Sequence, residues 1–150
     1  MAFYGREQQQ KKINGILQKN TLQAALIFGR RRVGKSELIK QCLKKTEIPQ
    51  LVYECKQTTE LNNVESLSTL ISEEFHLPRL GFGSMEALLD YLFRRAEKEK
   101  MVLVLDEYPY LRETSAGIDS ILQSLIDRYR EVSSLKLILC GSYVEIMKSL

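Results

Sequence analysis

Short apolar runs alternate along the chain with longer segments in which apolar residues recur every three or four positions. Runs that are apolar throughout and end near a glycine or an acid favour strands buried on both faces of a parallel sheet. The sequence therefore predicts strands at Ala24–Phe28, Leu51–Cys55, Met101–Leu105 and Leu135–Cys140.

The segments between these runs have the spacing of amphipathic helices. Ser84 is suited to cap one of them, with Glu86 in its first turn. Helices are predicted at Arg6–Gln18, Ser36–Lys45, around Val64–Ile71, from Met85 towards Lys98 and Lys100, around Ile118–Ile126, and after Ser142. The alternation predicts an α/β fold, a three-layer α/β/α sandwich around a mainly parallel sheet with right-handed crossovers.

Length and composition indicate one domain that can bury a core without disulfides or structural metal. The 150 residues carry 22 basic and 19 acidic side chains, and the resulting net charge of +3 is too small to argue for nucleic acid. No apolar run approaches the ~20 residues of a bilayer helix, and the N-terminus lacks a signal peptide's apolar stretch. Three widely spaced cysteines predict reduced, buried thiols and a cytoplasmic location.

The most specific motif is Gly29-Arg30-Arg31-Arg32-Val33-Gly34-Lys35-Ser36, which fits G-x-x-x-x-G-K-[ST] between a predicted strand and helix. Glycines let backbone amides approach phosphate oxygens, and the helix N-terminus adds further donors. Lys35 would bind the β- and γ-phosphates, Ser36 would coordinate magnesium, and Glu37 would complete the nucleotide-binding segment. The alternative is a glycine-containing turn with an incidental lysine.

Two acids follow the third predicted strand, at Asp106 and Glu107. Ligands of open α/β sheets bind just beyond the carboxyl ends of the strands, so these acids could lie near Ser36. Asp106 would hold magnesium through water, and Glu107 would polarise an attacking water as general base. The alternative is a strand end exposed to solvent.

Four segments occur in an order that resembles a known family: Phe3–Glu7, Gly29–Ser36, Leu105–Leu111 and Leu137–Ser142. Together they resemble the archaeal-type ATPases of the STAND group, relatives of the AAA+ ATPases. The resemblance covers essentially the whole chain. It implies a P-loop core with strand order 5-1-4-3-2, and ATP or ADP with Mg²⁺ as ligands.

The resemblance also assigns roles to individual residues. Ser142 matches the sensor-1 position, which responds to the γ-phosphate, although it would serve equally well as a helix N-cap. Gly5, Arg6 and Glu7 match an element that approaches the adenine, or they form an ordinary helix start with a first-turn glutamate. Each of Arg30, Arg31 and Arg32 contacts phosphate or a partner subunit, or is a solvated surface arginine.

The sequence departs from the family pattern in one respect. Only four strands are recognisable, and Leu150 falls within the predicted helix after Ser142. A fifth strand would flank Ala24–Phe28, which would otherwise be an open apolar edge. Residues 1–150 are therefore interpreted as the N-terminal part of a P-loop ATPase core without lid and C-terminal domain; alternatively, the chain borrows a strand from a neighbour.

The function that these features predict is ATP binding and Mg-dependent ATP hydrolysis by a nucleotide-driven conformational switch. The expected partners are ATP and either a second copy of this chain or another protein. No association with a membrane is expected. The arginine run and basic balance weakly support an alternative, a DNA-acting motor or nuclease-associated ATPase. A nucleotide-binding interaction module without turnover is the third hypothesis.

Overall fold

The computed structural model describes residues 2–28 and 35–141. The elements are α1 (Ala2–Gln18), β1 (Gln23–Phe28), α2 (Lys35–Lys44), β2 (Gln50–Glu54), α3 (Glu60–Phe75), α4 (Met85–Arg95), β3 (Met101–Asp106), α5 (Tyr108–Thr114), α6 (Ile118–Tyr129) and β4 (Leu135–Gly141). All predicted strands are confirmed to within about a residue at each end. Helix α1 starts at Ala2 rather than at Arg6, and α4 ends at Arg95, before Lys98 and Lys100.

The strands form one parallel sheet in the order β1-β4-β3-β2. Leu139 of β4 lies opposite Leu26 of β1 on one side and opposite Leu105 of β3 on the other. Strand β4 therefore separates the two strands that precede the candidate motifs. This order agrees with the 1-4-3-2 portion of the strand order implied by the resemblance, and it confirms the predicted α/β class.

Helices cover both faces of the sheet. Successive residues of a strand point to opposite faces, so neighbouring residues of one strand pack against different helices. Leu103 and Leu137 belong to a large apolar cluster with buried residues of α3, α4, α5 and α6. Val104 and Ile138 belong to a second cluster with residues of α1 and α2. These two clusters confirm the predicted three-layer arrangement.

The outer strands are less buried than their apolar sequences suggested. In β1, Ala24 is exposed and Leu26 is half-buried, while Val52 of β2 is 38% exposed. The prediction that every strand is buried on both faces is therefore wrong for β1 and β2 and correct for β3 and β4. Within the described ranges β1 pairs on one side alone, and a groove of about 670 Å³ follows its outer edge between α1 and Ile126.

The N-termini of α3 and α4 are capped by side chains. The Thr59 hydroxyl accepts a hydrogen bond from the Asn62 amide, and the Ser84 hydroxyl accepts one from the Ala87 amide. The prediction of Ser84 as an N-cap is confirmed. Cys42, Cys55 and Cys140 are buried thiols that form no disulfide, as predicted. None of the helices in the described part of the chain combines the length and apolarity needed to cross a membrane.

Candidate functional site

The candidate site lies at the carboxyl edge of the sheet. Phe28 at the end of β1 lies opposite Gly141 at the end of β4, and Asp106 ends β3 opposite Glu54 of β2. Parallel pairing brings these strand ends to one edge, where ligands of open α/β sheets bind. The ends of β1 and β4 and the carboxylate of Asp106 therefore share one edge of the sheet.

Part of the predicted phosphate loop lies outside the described residues. Gly29, Arg30, Arg31, Arg32, Val33, Gly34 and, further along the chain, Ser142 belong to this group. Helix α2 begins at Lys35, with Glu37 in its first turn. The first amides of α2 thus directly follow the glycine-rich segment, an arrangement that suits anions. The roles of the Lys35, Ser36 and Glu37 side chains stay predictions.

Asp106 is a half-buried carboxylate at the last position of β3. Strand alternation places it on the face of Val102 and Val104, which pack in the cluster that includes α2. Its Oδ1 accepts a hydrogen bond from the Glu107 amide at 2.9 Å. Its backbone carbonyl accepts one from the Cys55 amide at 2.8 Å. The residue is therefore fixed to both β2 and the turn that follows.

Glu107 forms that turn in a left-handed backbone conformation, with φ 54° and ψ 42°. Such a conformation is unfavourable for a residue with a Cβ by about 1–2 kcal/mol. Tyr110 donates its amide to the Glu107 carbonyl at 3.0 Å, so helix α5 starts at once. Glu107 is half-buried, and the chain turns at this single residue from β3 into α5.

Sequence reasoning missed helix α5, which occupies Tyr108–Thr114. The sequence pattern indicated acids after β3 but no helix between that strand and the helix around Ile118–Ile126. Helix α5 has a proline in its first turn, where the missing amide is harmless, and its buried residues are Tyr108 and Leu111. Both signals are present in the sequence, but seven residues are too few for a clear helical period.

A partly buried polar contact joins α5 to α6 and begins at Tyr108, the residue that follows Glu107. The Tyr108 hydroxyl donates to Asp119 Oδ1 at 2.5 Å, and Arg112 Nη2 lies 2.6 Å from Asp119 Oδ2. Burial, together with the hydrogen bond and charge of Asp119, raises the pKa of Tyr108 above its ordinary value. The phenol therefore stays a neutral donor. No sequence signal identified this contact, because it joins two helices.

Cys55 reports the electrostatic character of this edge. Its thiol is buried, and its pKa is raised by burial first and then by the negative charges of Asp106, Glu107 and Glu54. Several carboxylates therefore act on one small region. Hard carboxylate oxygens in a negative potential are the donor type that Mg²⁺ prefers, so Asp106 fits a magnesium ligand.

Gly5, Arg6 and Glu7 lie within α1, whose first turn contains no acidic residue. The alternative of a first-turn glutamate at Glu7 is therefore wrong, because the helix starts earlier than predicted. A contact of this segment with adenine stays a prediction. Helix α1 contributes Ile13 and Leu17 to the same cluster as α2.

The family described as ATPase domain predominantly from Archaea matches residues 3–149. The Methanocaldococcus jannaschii protein MJECL04 is 28% identical over 145 residues, which are 97% of this chain and 30% of that protein. MJ0424 of the same organism is 30% identical over 82 residues, covering 55% of this chain and 79% of that protein. The chain thus spans less than a third of MJECL04.

Solved structures show a similar fold. The Walker-type ATPase PABY2304 of Pyrococcus abyssi has a TM-score of 0.61 at 23% identity, over 95% of this chain and 46% of that one. Cdc6p of Pyrobaculum aerophilum has a TM-score of 0.64 at 20% identity, over 97% and 41%. A structure of Drosophila ORC bound to DNA has a TM-score of 0.67 at 16% identity, over 98% and 40%. The resemblance to archaeal-type ATPases is confirmed, and the chain belongs to the family of ATPase domains found predominantly in Archaea.

Proposed function

We propose that this chain is the nucleotide-binding core of a Mg-dependent ATPase. The observation that carries the proposal is the position of β4 between β1 and β3. This order brings the carboxyl end of β1, the strand that precedes α2, to the same edge of the sheet as Asp106. Asp106 also lies on the sheet face that α2 covers, which is the face from which it could reach Ser36.

Each residue of the edge has a separate task in this proposal. Backbone amides of residues 29–36 and the Lys35 ammonium bind the phosphates. Ser36 and Asp106 would hold Mg²⁺, which when bound neutralises charge on the phosphate oxygens. Glu107 orients a water molecule and accepts its proton. Ser142 contacts the γ-phosphate or the water, as the resemblance implies.

The remaining candidate residues would complete the nucleotide site. Gly5, Arg6 and Glu7 approach the adenine, and Glu37 lies in the first turn of α2, beside Lys35 and Ser36. Arg30, Arg31 and Arg32 contact phosphate or a second subunit. These assignments follow the family resemblance.

The proposed output is a conformational switch of the STAND type in the cytoplasm. Contacts with the γ-phosphate order neighbouring segments, and hydrolysis releases them. A fifth strand of the same polypeptide would cover the outer edge of β1, where the groove of about 670 Å³ is open and Leu26 is half-buried. The proposal includes residues 1–150 as the N-terminal part of the core, with a lid and a further domain beyond it.

The decisive experiment measures binding of fluorescent ATP with and without Mg²⁺. Lys35→Ala removes the phosphate-binding ammonium and is expected to weaken binding by about 10²-fold or more. Lys40→Ala is the matched control, because Lys40 is an exposed lysine on the same helix. Equal affinity in wild type and Lys35→Ala, or equal loss in Lys40→Ala, would contradict the proposal.

A DNA-acting module is a second candidate. It is supported by the arginine run and by the similarity of the fold to an ORC protein whose structure contains DNA. DNA binding through phosphate contacts weakens steeply with salt, because counterions are released on binding. Binding to duplex DNA that falls at least tenfold between 50 and 200 mM salt, roughly the behaviour of a few phosphate contacts, would favour this candidate. Tight ATP binding with phosphate release at the background rate in both wild type and Glu107→Gln would instead favour a nucleotide-binding module without hydrolysis.

A further inference from the structure

We propose that Tyr108, Asp119 and Arg112 form a positioning bridge that sets the backbone of Glu107 and thereby the direction of its carboxylate. The catalytic part of this inference rests on the proposed function of Glu107. None of the three bridge residues is assigned contact with ATP. They act through the turn that Glu107 forms.

The backbone of Glu107 has a strained conformation that its surroundings have to maintain. Glu107 has φ 54°, in the left-handed region that side chains with a Cβ adopt rarely. A non-glycine residue persists there only where its surroundings over-determine it. The position of the glutamate therefore depends on how firmly both flanks of the turn are fixed.

The flank that precedes Glu107 is fixed to the sheet. The Cys55 amide donates to the Asp106 carbonyl at 2.8 Å, and the Glu107 amide donates to Asp106 Oδ1 at 2.9 Å. The flank that follows is a helix of seven residues. Isolated helices of this length are unstable in water, so α5 requires a tertiary anchor to hold the turn.

The bridge provides the polar part of that anchor, beside the apolar burial of Tyr108 and Leu111. Tyr108 is 1% exposed and donates to Asp119 Oδ1 at 2.5 Å, while Arg112 binds the other oxygen at 2.6 Å. Two residues of α5 thus bind one carboxylate of α6. Asp119 lies in the first turn of α6, where the helix dipole stabilises a negative charge. Because Tyr108 is adjacent to Glu107, loss of its hydroxyl contact acts first on the strained residue.

Near the C-terminus of α6, a tyrosine and an arginine also contact one aspartate, and this group serves as an internal control for the bridge. Tyr129 donates to Asp90 Oδ1 at 2.6 Å, and Arg128 Nη1 lies 3.1 Å from the same oxygen. This contact joins α6 to α4, far along the helix from Glu107. It has the same chemistry as the bridge and no adjacent strained acid.

The first test compares Tyr108→Phe with Tyr129→Phe, each of which removes one hydroxyl. Tyr108→Phe is expected to lower kcat about tenfold while the Kd for ATP stays within about twofold, since the lost bond is charge-assisted. Tyr129→Phe should leave kcat and Kd unchanged. In a Glu107→Gln background Tyr108→Phe should have no further effect on kcat, because its effect passes through Glu107.

A graded series at Asp119 sharpens the assignment. Asp119→Asn keeps an oxygen that accepts from Tyr108 and loses the charge facing Arg112, whereas Asp119→Ala loses both contacts. The expected order of kcat is wild type, then Asp119→Asn, then Asp119→Ala, with ATP affinity unchanged. Equal activity in Asp119→Ala and wild type would overturn the inference.

A second readout does not require turnover. Amide hydrogen exchange of Tyr110, which donates to the Glu107 carbonyl at 3.0 Å, reports the turn directly. Tyr108→Phe should accelerate this exchange about tenfold and leave the β4 amides unchanged, and Tyr129→Phe should not accelerate it. Unchanged exchange in Tyr108→Phe, or equal acceleration in both variants, would overturn the bridge. If Glu107→Gln leaves turnover unchanged, the proposed role of Glu107 fails, and exchange still decides whether the bridge holds the turn.

Discussion

The two ends of the sheet place charge in different ways. At the carboxyl end, Asp106 and Glu107 are half-buried at the edge of the sheet where we propose that nucleotide binds. At the amino end, Lys136 of β4 is fully buried between Gln23 of β1 and Val102 of β3. One end leaves its carboxylates partly exposed to solvent, whereas the other removes a charge from water.

The amino-end lysine shows what such desolvation does. Burial, and then the positive charge of Lys100, lowers the pKa of Lys136 to about 8. Its ammonium donates a hydrogen bond to the Thr21 carbonyl, in the loop between α1 and β1. A buried cation of this kind opposes folding at neutral pH, whereas the carboxyl end keeps a strained residue that would serve the reaction.

The largest expected effect is at the carboxyl end. Glu107→Gln removes the proposed general base and should lower kcat about 10²- to 10⁴-fold while ATP still binds. Steady-state phosphate release and fluorescent ATP binding check this. Glu113→Gln, on the same short helix, is the control and should leave phosphate release unchanged. Phosphate release by Glu107→Gln at the wild-type rate would show that Glu107 is not the base for hydrolysis.

At the amino end, Lys136→Met should increase the free energy of unfolding at pH 7 by about 2–3 kcal/mol. The variant replaces a buried cation with an uncharged side chain of similar length. The folded-state pKa of about 8 is below the ordinary 10.5, so the folded protein binds fewer protons between these values. Wild-type stability should therefore rise as the pH increases from about 8 towards 10.5, with the full penalty present below pH 8.

Urea unfolding of Lys136→Met and wild type at pH 7 and pH 10 measures this difference. The advantage of the variant should shrink at the higher pH. Lys98→Met, at an exposed lysine, is the matched control and should not change the pH dependence. A Lys136→Met variant that is less stable than wild type at pH 7 would show that the ammonium contributes more through Thr21 than it loses by desolvation.

A smaller effect is expected at Asn63, which holds the loop after β2 near the carboxyl end. Its Oδ1 accepts from the Tyr53 hydroxyl and from the Lys56 amide at 3.0 Å, and its Nδ2 donates to the Lys56 carbonyl at 3.1 Å. Asn63→Ala leaves these partners unsatisfied and should lower the free energy of unfolding by about 2 kcal/mol. Exposed Asn62→Ala is the control in urea unfolding, and a loss as large as that of Asn63→Ala would contradict the assignment.

Periodicity and motif order were sufficient to predict the strands and the three layers, because each depends on local sequence. The burial of β1 and β2 could not be predicted, since strand position in the sheet decides how much of Leu26 or Val52 is covered. The position of β4 between β1 and β3 was predicted from the family resemblance and is confirmed.

The details of the site required three-dimensional contacts. The left-handed conformation of Glu107 depends on flanks fixed by Cys55 and Tyr110, and no sequence period encodes it. The contacts of Tyr108 with Asp119 and of Lys136 with Thr21 join residues from different elements. Residue types at the carboxyl end were predictable from the motif, but the bonds that orient them were not.

The buried cysteines provide an intrinsic measure of opening. Cys42, Cys55 and Cys140 are all inaccessible, and burial raises the pKa of Cys42 and of Cys55. Thiol reagents attack the thiolate, so alkylation of the native protein has to wait until the surrounding layers separate. Because Cys55 follows β2 and Cys42 lies in α2, mass spectrometry of the alkylated peptides can time the exposure of each layer without any added label.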